Sequence, residues 1–181
     1  MEECPWRVIA EKIVYENTWI RLTHHEVIRP DGQPGIYGIV HFRHRAVGIL
    51  PIDDRGWTWL VGQYRLPLKR YSWEIPEGGC PEGESTLAAA RRELREETGL
   101  TATHWHQLGQ ADLSNSVTDE SVTIYLATGL LPGPAEPEGT EVISVRHLPF
   151  EEALQMVTSG EITDAISVMA ILHYQRLRDQ L

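Results

Sequence analysis

Residues 78–100 constrain this chain more than any other stretch, because they join a helix with fixed ends to a crowded line of carboxylates. Ser85 and Thr86 are residue types that cap a helix start, and Gly99 stands where a left-handed residue closes one. Leu87, Ala90 and Leu94 recur at helical spacing and predict the face that enters a core. Glu93, Glu96 and Glu97 occupy positions i, i+3 and i+4, so three carboxylates share one narrow strip. Like charges so placed cost a helix about 0.2–0.5 kcal/mol per pair. Glu82 and Glu84 add two acids in the loop that feeds the helix. Carboxylates gathered at a helix–loop junction suit a hard divalent cation such as Mg²⁺, which takes oxygen ligands and shares its shell with substrate phosphates. The strip also reads as a solvated acidic face balanced by Arg91, Arg92 and Arg95.

The spacing separates these readings. Gly78, five residues, Glu84, seven residues, Arg92-Glu93-Leu94, one residue, Glu96-Glu97, one residue and Gly99-Leu100 resemble the Nudix box at all nine of its fixed positions. The resemblance implies a pyrophosphohydrolase that cleaves a nucleoside diphosphate linked to another group, using Mg²⁺ or, in its place, Mn²⁺. It implies that Glu93 and Glu97 are metal ligands and Glu96 a third carboxylate of the same group. It also implies that Glu77 is a further ligand through its backbone carbonyl, and that Arg92 steers the carboxylates through an ion pair. Gly78 and Gly99 are implied to be structural.

A chain of 181 residues with ordinary apolar and charged fractions has room for one domain with an appendage and a real core. No apolar run approaches the ~20 residues that span a bilayer, and the N-terminus lacks the apolar segment of a signal peptide. The net charge of −10 argues against a nucleic-acid polymer or an anionic membrane as partner. It leaves room for a small phosphorylated substrate, because bound cations invert the local field. Cys4 and Cys80, without Cys-x-x-Cys spacing, point to a reducing compartment, so the expected location is cytoplasmic.

Along the chain, residues 1–11 show no strong pattern and are expected to fray. Residues 12–15, 19–28 and 35–42 read as three strands joined by short connections, with a turn at Arg29-Pro30-Asp31-Gly32. Further strands are expected at 46–52, 57–64, 70–75, 104–109, 121–128 and 142–147, with a loop at 131–139. Helices are expected at 150–158 and 164–181, the second with a stripe of Ile166, Met169, Ala170, Leu172 and Leu177. The expected fold is α/β: a Nudix α/β/α sandwich with a mixed sheet over residues 45–181, preceded by a small antiparallel β-sheet over residues 1–44.

Outside the box, Gln63-Tyr64-Arg65 and Trp73-Glu74-Ile75-Pro76-Glu77-Gly78 resemble the ADP-ribose pyrophosphatase branch. The N-terminal sheet does so too, and in that branch it is exchanged between the subunits of a homodimer. The stretch from Ser114 to Glu120 has the length and ends of that branch's Ser-Pro-Gly-x-Thr/Ser-x-Glu loop, with Asn115-Ser116 in place of Pro-Gly. The resemblance makes Glu120 a catalytic carboxylate, beside Glu96 and Arg92. Arg65, Glu74 and Gly78 are the expected substrate-binding residues. Read from chemistry alone, Arg65 offers a planar fork for a diphosphate oxygen or pairs with a neighbouring acid. Glu74 accepts from a ribose hydroxyl, joins the metal shell or answers an arginine. His104 and His106 share one strand face, but their polar neighbours suit a solvated edge.

The expected activity is Mg²⁺-dependent hydrolysis of a nucleoside diphosphate sugar, ADP-ribose, to AMP and ribose 5-phosphate. The alternatives are the same chemistry on GDP-mannose, another nucleotide sugar or a dinucleotide, and a catalytically silent Nudix domain that senses a nucleotide.

Overall fold

Residues 3–134 and 142–180 are described in a computed structural model of the chain. They form two compact units, Met1–Arg45 with Asp112–Ser121, and Ala46–Ala111 with Val122–Leu181. The first unit therefore gathers a short excursion of the chain in addition to the N-terminal strands.

In the first unit, β1 (Arg7–Glu16), β2 (Ile20–Ile28) and β3 (Pro34–Phe42) make an antiparallel sheet in the order β1-β2-β3. β1 begins at Arg7, within the stretch expected to fray. Its β-branched content favours a strand, but register shifts between Val8 and Ala10 and between Ile13 and Tyr15 break the two-residue alternation that sequence reading depends on. Every residue of β1 is exposed, Val8, Ile9, Ile13, Val14 and Tyr15 among them.

The second unit is built on a mixed sheet of β4 (Arg45–Pro51), β7 (Glu77–Cys80), β8 (Leu100–Asp112) and β9 (Ser121–Pro132), in the order β7-β4-β9-β8. β4 and β9 run parallel, from Ala46 opposite Val122 to Pro51 opposite Ala127. An apolar strand buried on both faces needs a cover on each side. Val47 and Ile49 point into a core with Ala89, Ala90 and Leu94 of α1 (Thr86–Thr98) and with Tyr125 and Ala127 of β9. The intervening Gly48 faces α3 (Ala165–Leu177), and a Cβ there would lie 2.5 Å from Ile166 Cγ2. The layers are thus α1, sheet, α3. A second sheet orders β10 (Ser144–Pro149), β5 (Trp57–Arg65) and β6 (Arg70–Glu74), all antiparallel. α2 (Phe150–Ser159) follows β10 directly.

Several boundaries differ from the sequence reading. β7 was not expected, because Gly-Gly-Cys carries little strand propensity. β8 is longer than 104–109, and its inward residues Ala102, Trp105 and Leu108 fall three apart, which hides a strand period. β9 runs through Pro132, into the expected loop, whose residues 135–139 lie outside the described residues. β10 lies two residues later than expected, leaving Val142 exposed. α3 ends at Leu177, before a 3-10 turn at Arg178–Gln180, and buries Ile166, Ser167, Ala170 and Ile171, while Leu172 is exposed. A serine on that buried face interrupted the apolar stripe. No helix among the described residues is long and apolar enough to cross a membrane.

Candidate active site

α1 has the ends its sequence announces. The Ser85 hydroxyl accepts from the Ala88 N–H at 3.2 Å, and Gly99, at φ +73°, donates its N–H to the Arg95 carbonyl. Between these caps, Arg92 gathers the acidic strip. Its Nη1 donates to Glu93 at 2.7 Å and to Glu96 at 3.0 Å, and its Nη2 to the Gly79 carbonyl at 2.7 Å and to Glu84 at 3.1 Å. One guanidinium thus joins the helix, the entry loop and β7, using its fixed fork of donors. Burial works against its charge, but the hydrogen bonds it donates to Glu84 and Glu93 outweigh this and hold the group more firmly protonated than a free arginine.

Gly78 lies against this group. A Cβ on Gly78 would collide with the Glu93 carboxylate, so the absence of a side chain lets that carboxylate lie on the backbone. The third acid of the strip, Glu97, is buried, and its Oε2 accepts from the Glu77 N–H at 3.0 Å.

A second charged group lies on the strands that lead into the box. At the end of β5, Arg65 Nε donates to both oxygens of Glu74, at 3.0 and 3.1 Å, and Nη2 to Glu74 and, at 2.9 Å, to Glu77. Glu74 is only 2 % exposed. Asp164, just before α3, brings a third carboxylate, and one oxygen from each of Glu74, Glu77 and Asp164 falls within 4.8 Å of the others. Burial pushes the Glu77 carboxyl well above its usual range, Asp164 and Glu74 push it the same way, and Arg65 offsets only part of this. Glu77 Oε2 is buried without a hydrogen-bond partner. Oxygen-only donors, a surplus of carboxylates and an orphaned buried oxygen fit a hard divalent cation. The two groups meet in the chain at Glu77 and Gly78.

Asp164 is the member that sequence reading missed, although its place one residue before an apolar helix marks it as an N-cap, and its Oδ2 accepts from the Ser167 N–H at 2.7 Å. His104 and His106 are exposed, and no third ligand joins them among the described residues.

Glu120 and its loop belong to the first unit. The loop is stitched to β3: Val40 donates its N–H to the Val117 carbonyl at 2.9 Å, and Asp119 donates its own back to the Val40 carbonyl. Ser114 turns the chain at φ +47°, and both Val117 and Thr118 donate to its carbonyl. Asp119 accepts from the Phe42 N–H at 2.9 Å and contacts His41 Nδ1 at 2.6 Å. Burial raises the Asp119 carboxyl, but these partners outweigh it and leave it below its ordinary value. The carbonyl of Glu120 accepts from the Leu113 N–H, which closes the loop.

Comparison with known proteins agrees with this architecture. A model of the NUDIX domain matches residues 42–166, and one of the nucleoside diphosphate sugar hydrolase N-terminal domain matches residues 6–40. The chain is 35 % identical over 176 residues to an ADP-ribose pyrophosphatase of Mycobacterium tuberculosis, covering 95 % of this chain and 84 % of that one. It is 34 % identical over 184 residues to an ADP-ribose pyrophosphatase of Bacillus subtilis, covering 100 % and 98 %. A crystal structure described as an ADP compounds hydrolase superimposes with a TM-score of 0.86 at 22 % identity, over 97 % of this chain and 95 % of that one, and so shares the fold. The box, the sandwich that carries it and these matches together make the chain a member of the Nudix hydrolase family, a pyrophosphohydrolase similar to the ADP-ribose pyrophosphatases.

Proposed function

We propose that the chain hydrolyses the diphosphate of ADP-ribose to AMP and ribose 5-phosphate, with Mg²⁺, or Mn²⁺ in its place, held by Glu93, Glu96, Glu97 and Glu77. The observation that carries this reading is the Arg92 bracket, which holds like-charged carboxylates side by side at a backbone stripped of its side chain at Gly78. Similarity to two ADP-ribose pyrophosphatases over nearly the whole chain supports the substrate.

In the reaction a water oxygen bonds to one phosphorus, the bridging P–O bond breaks, and the leaving phosphomonoester takes the bridging oxygen. A bound cation supplies neutralisation of the diphosphate charge and a more acidic water. Arg92 keeps Glu93 and Glu96 at fixed positions as charge develops, and Glu97 fixes the Glu77 backbone through its N–H. Arg65, about one-third exposed, offers permanent positive charge to a diphosphate oxygen. Glu74 acts by holding that guanidinium, since its burial keeps it from a ribose hydroxyl. Glu120 takes the water proton as general base.

We further propose that the chain is a cytoplasmic homodimer joined through the N-terminal sheet. The exposed apolar residues of β1 support the dimer, because a symmetric pair covers such a face. Light scattering at micromolar concentration is expected to return twice the chain mass of 20.5 kDa. A mass equal to that of one chain contradicts the dimer.

A panel of nucleoside diphosphate derivatives with Mg²⁺, scored by product chromatography, tests the substrate. ADP-ribose is expected to have the highest kcat/KM. Turnover of GDP-mannose or a dinucleotide about tenfold faster would remove the branch assignment, at the 1.4 kcal/mol that such a ratio represents. Binding without turnover across the panel would favour a nucleotide sensor.

A mutant series tests the residues. Glu93→Gln is expected to lower kcat by several orders of magnitude with an unchanged or slightly raised thermal midpoint, because it relieves a crowded acidic strip. Gly78→Ala displaces the flexible end of Glu93, so it is expected to lower activity while sparing the fold. Glu120→Gln is expected to cost roughly 10²–10⁴ in kcat, the range of a general base. Asp119→Asn is the control, and loss of turnover there with normal turnover in Glu120→Gln would move the base to Asp119.

A further inference from the structure

Three consecutive residues, Ile75, Pro76 and Glu77, are each held through the backbone by a different element. The Pro76 carbonyl accepts from Ile49 N–H of β4 at 2.8 Å. The Glu77 N–H donates to Glu97 of α1 at 3.0 Å. The Ile75 N–H donates to the Ser167 hydroxyl of α3 at 2.9 Å, between residues that are both fully buried. The first tether is sheet pairing and the second belongs to the box. The third comes from a serine 67 residues beyond the box's last position, on a helix face otherwise lined by Ile166, Ala170 and Ile171.

A hydroxyl on an apolar helix face needs a reason, since alanine would fill the same place with higher helix propensity. Ser167 has two roles at once. Its N–H is capped by Asp164 Oδ2 at 2.7 Å, and its Oγ caps the Ile75 N–H, which would otherwise lie buried without an acceptor. The same short stretch brings Asp164 beside Glu74 and Glu77, and Thr163 Oγ1 accepts from Arg70 at 2.8 Å. The start of α3 is therefore bonded to β6 and to the segment that leads into the box.

We propose that Ser167 is a positioning residue for the hydrolytic site: through the Ile75 N–H it sets where Glu77 and Gly78 lie relative to the Glu93 and Glu97 carboxylates. The proposal rests on the reading of Glu77, Glu93 and Glu97 as cation ligands. Removing the hydroxyl leaves the core intact in volume, frees one of the three backbone tethers and lets the Glu77 backbone shift. Groups that orient metal ligands without touching the ion affect affinity or activity by about 10–100-fold.

The test uses the full-length protein stripped of metal and titrated with Mn²⁺, with free Mn²⁺ read by electron paramagnetic resonance well below each variant's thermal midpoint. Ser167→Ala is expected to weaken Mn²⁺ binding by about tenfold or more and to lower kcat with a smaller change in KM. Ser167→Cys keeps nearly the same volume but offers sulfur, a weaker acceptor, and is expected to shift Mn²⁺ affinity the same way by at least about threefold. It carries the test alone if Ser167→Ala does not fold. Ile171→Val, on the same buried face, lowers stability without touching the tether and is expected to leave Mn²⁺ affinity within about twofold of wild type. Serine variants with wild-type affinity and kcat overturn the proposal, as does an Ile171→Val that weakens Mn²⁺ equally. Wild-type protein that neither binds Mn²⁺ nor hydrolyses any diphosphate substrate removes the functional reading and the proposal together. Normal wild-type binding with unaffected serine variants removes the positioning role alone.

Discussion

One guanidinium holds the hydrolytic end of this molecule together. Arg92 lies among Glu84 of the entry loop, the Gly79 carbonyl of β7, and Glu93 and Glu96 of α1, and so ties three parts of the box together. Without it, adjacent carboxylates on α1 would repel one another and swing apart into solvent. With it, Glu84, Glu93 and Glu96 are drawn together around one guanidinium.

The second charged group repeats the arrangement on the strands. Arg65 answers Glu74 and Glu77, and Asp164 adds a third carboxylate that the single arginine does not neutralise. Glu77 and Gly78 connect the groups, with backbone held by α1, β4 and α3 in successive residues. Packing makes this possible. Gly48 brings α3 against β4, and Val47 and Ile49 on the other face carry α1, so both helices that hold the box approach are referenced to one central strand. Placement of the carboxylates is then a property of the sandwich core as much as of the box.

Much of this was legible in the sequence, for physical reasons. The box helix could be read to its ends, because Ser85 and Gly99 perform local chemistry that no tertiary contact overrides. The carboxylate strip and Arg92 were legible because helical spacing alone puts them on one face. The sandwich followed from an apolar β4 and the order of strands and helices. What was hidden depended on contacts distant in sequence or on broken periods. Register shifts broke the alternation of β1, and inward residues three apart concealed the length of β8. Ser167 disguised the buried face of α3, and Asp164 joined the acidic group only through the fold. The burial of Glu74 could not be foreseen either, since a glutamate on a strand is ordinarily solvated.

If Glu93, Glu96 and Glu97 hold the cation as proposed, the geometry of the Arg92 fork, and not merely its charge, arranges them for it. Arg92→Lys tests this claim most directly, because lysine keeps the charge on a flexible stem but cannot bridge acceptors in a fixed plane. Titration of the metal-free variant with Mn²⁺ is predicted to show binding weakened by about 10–100-fold, with the thermal midpoint lowered only modestly. Wild-type Mn²⁺ affinity in Arg92→Lys would contradict the account.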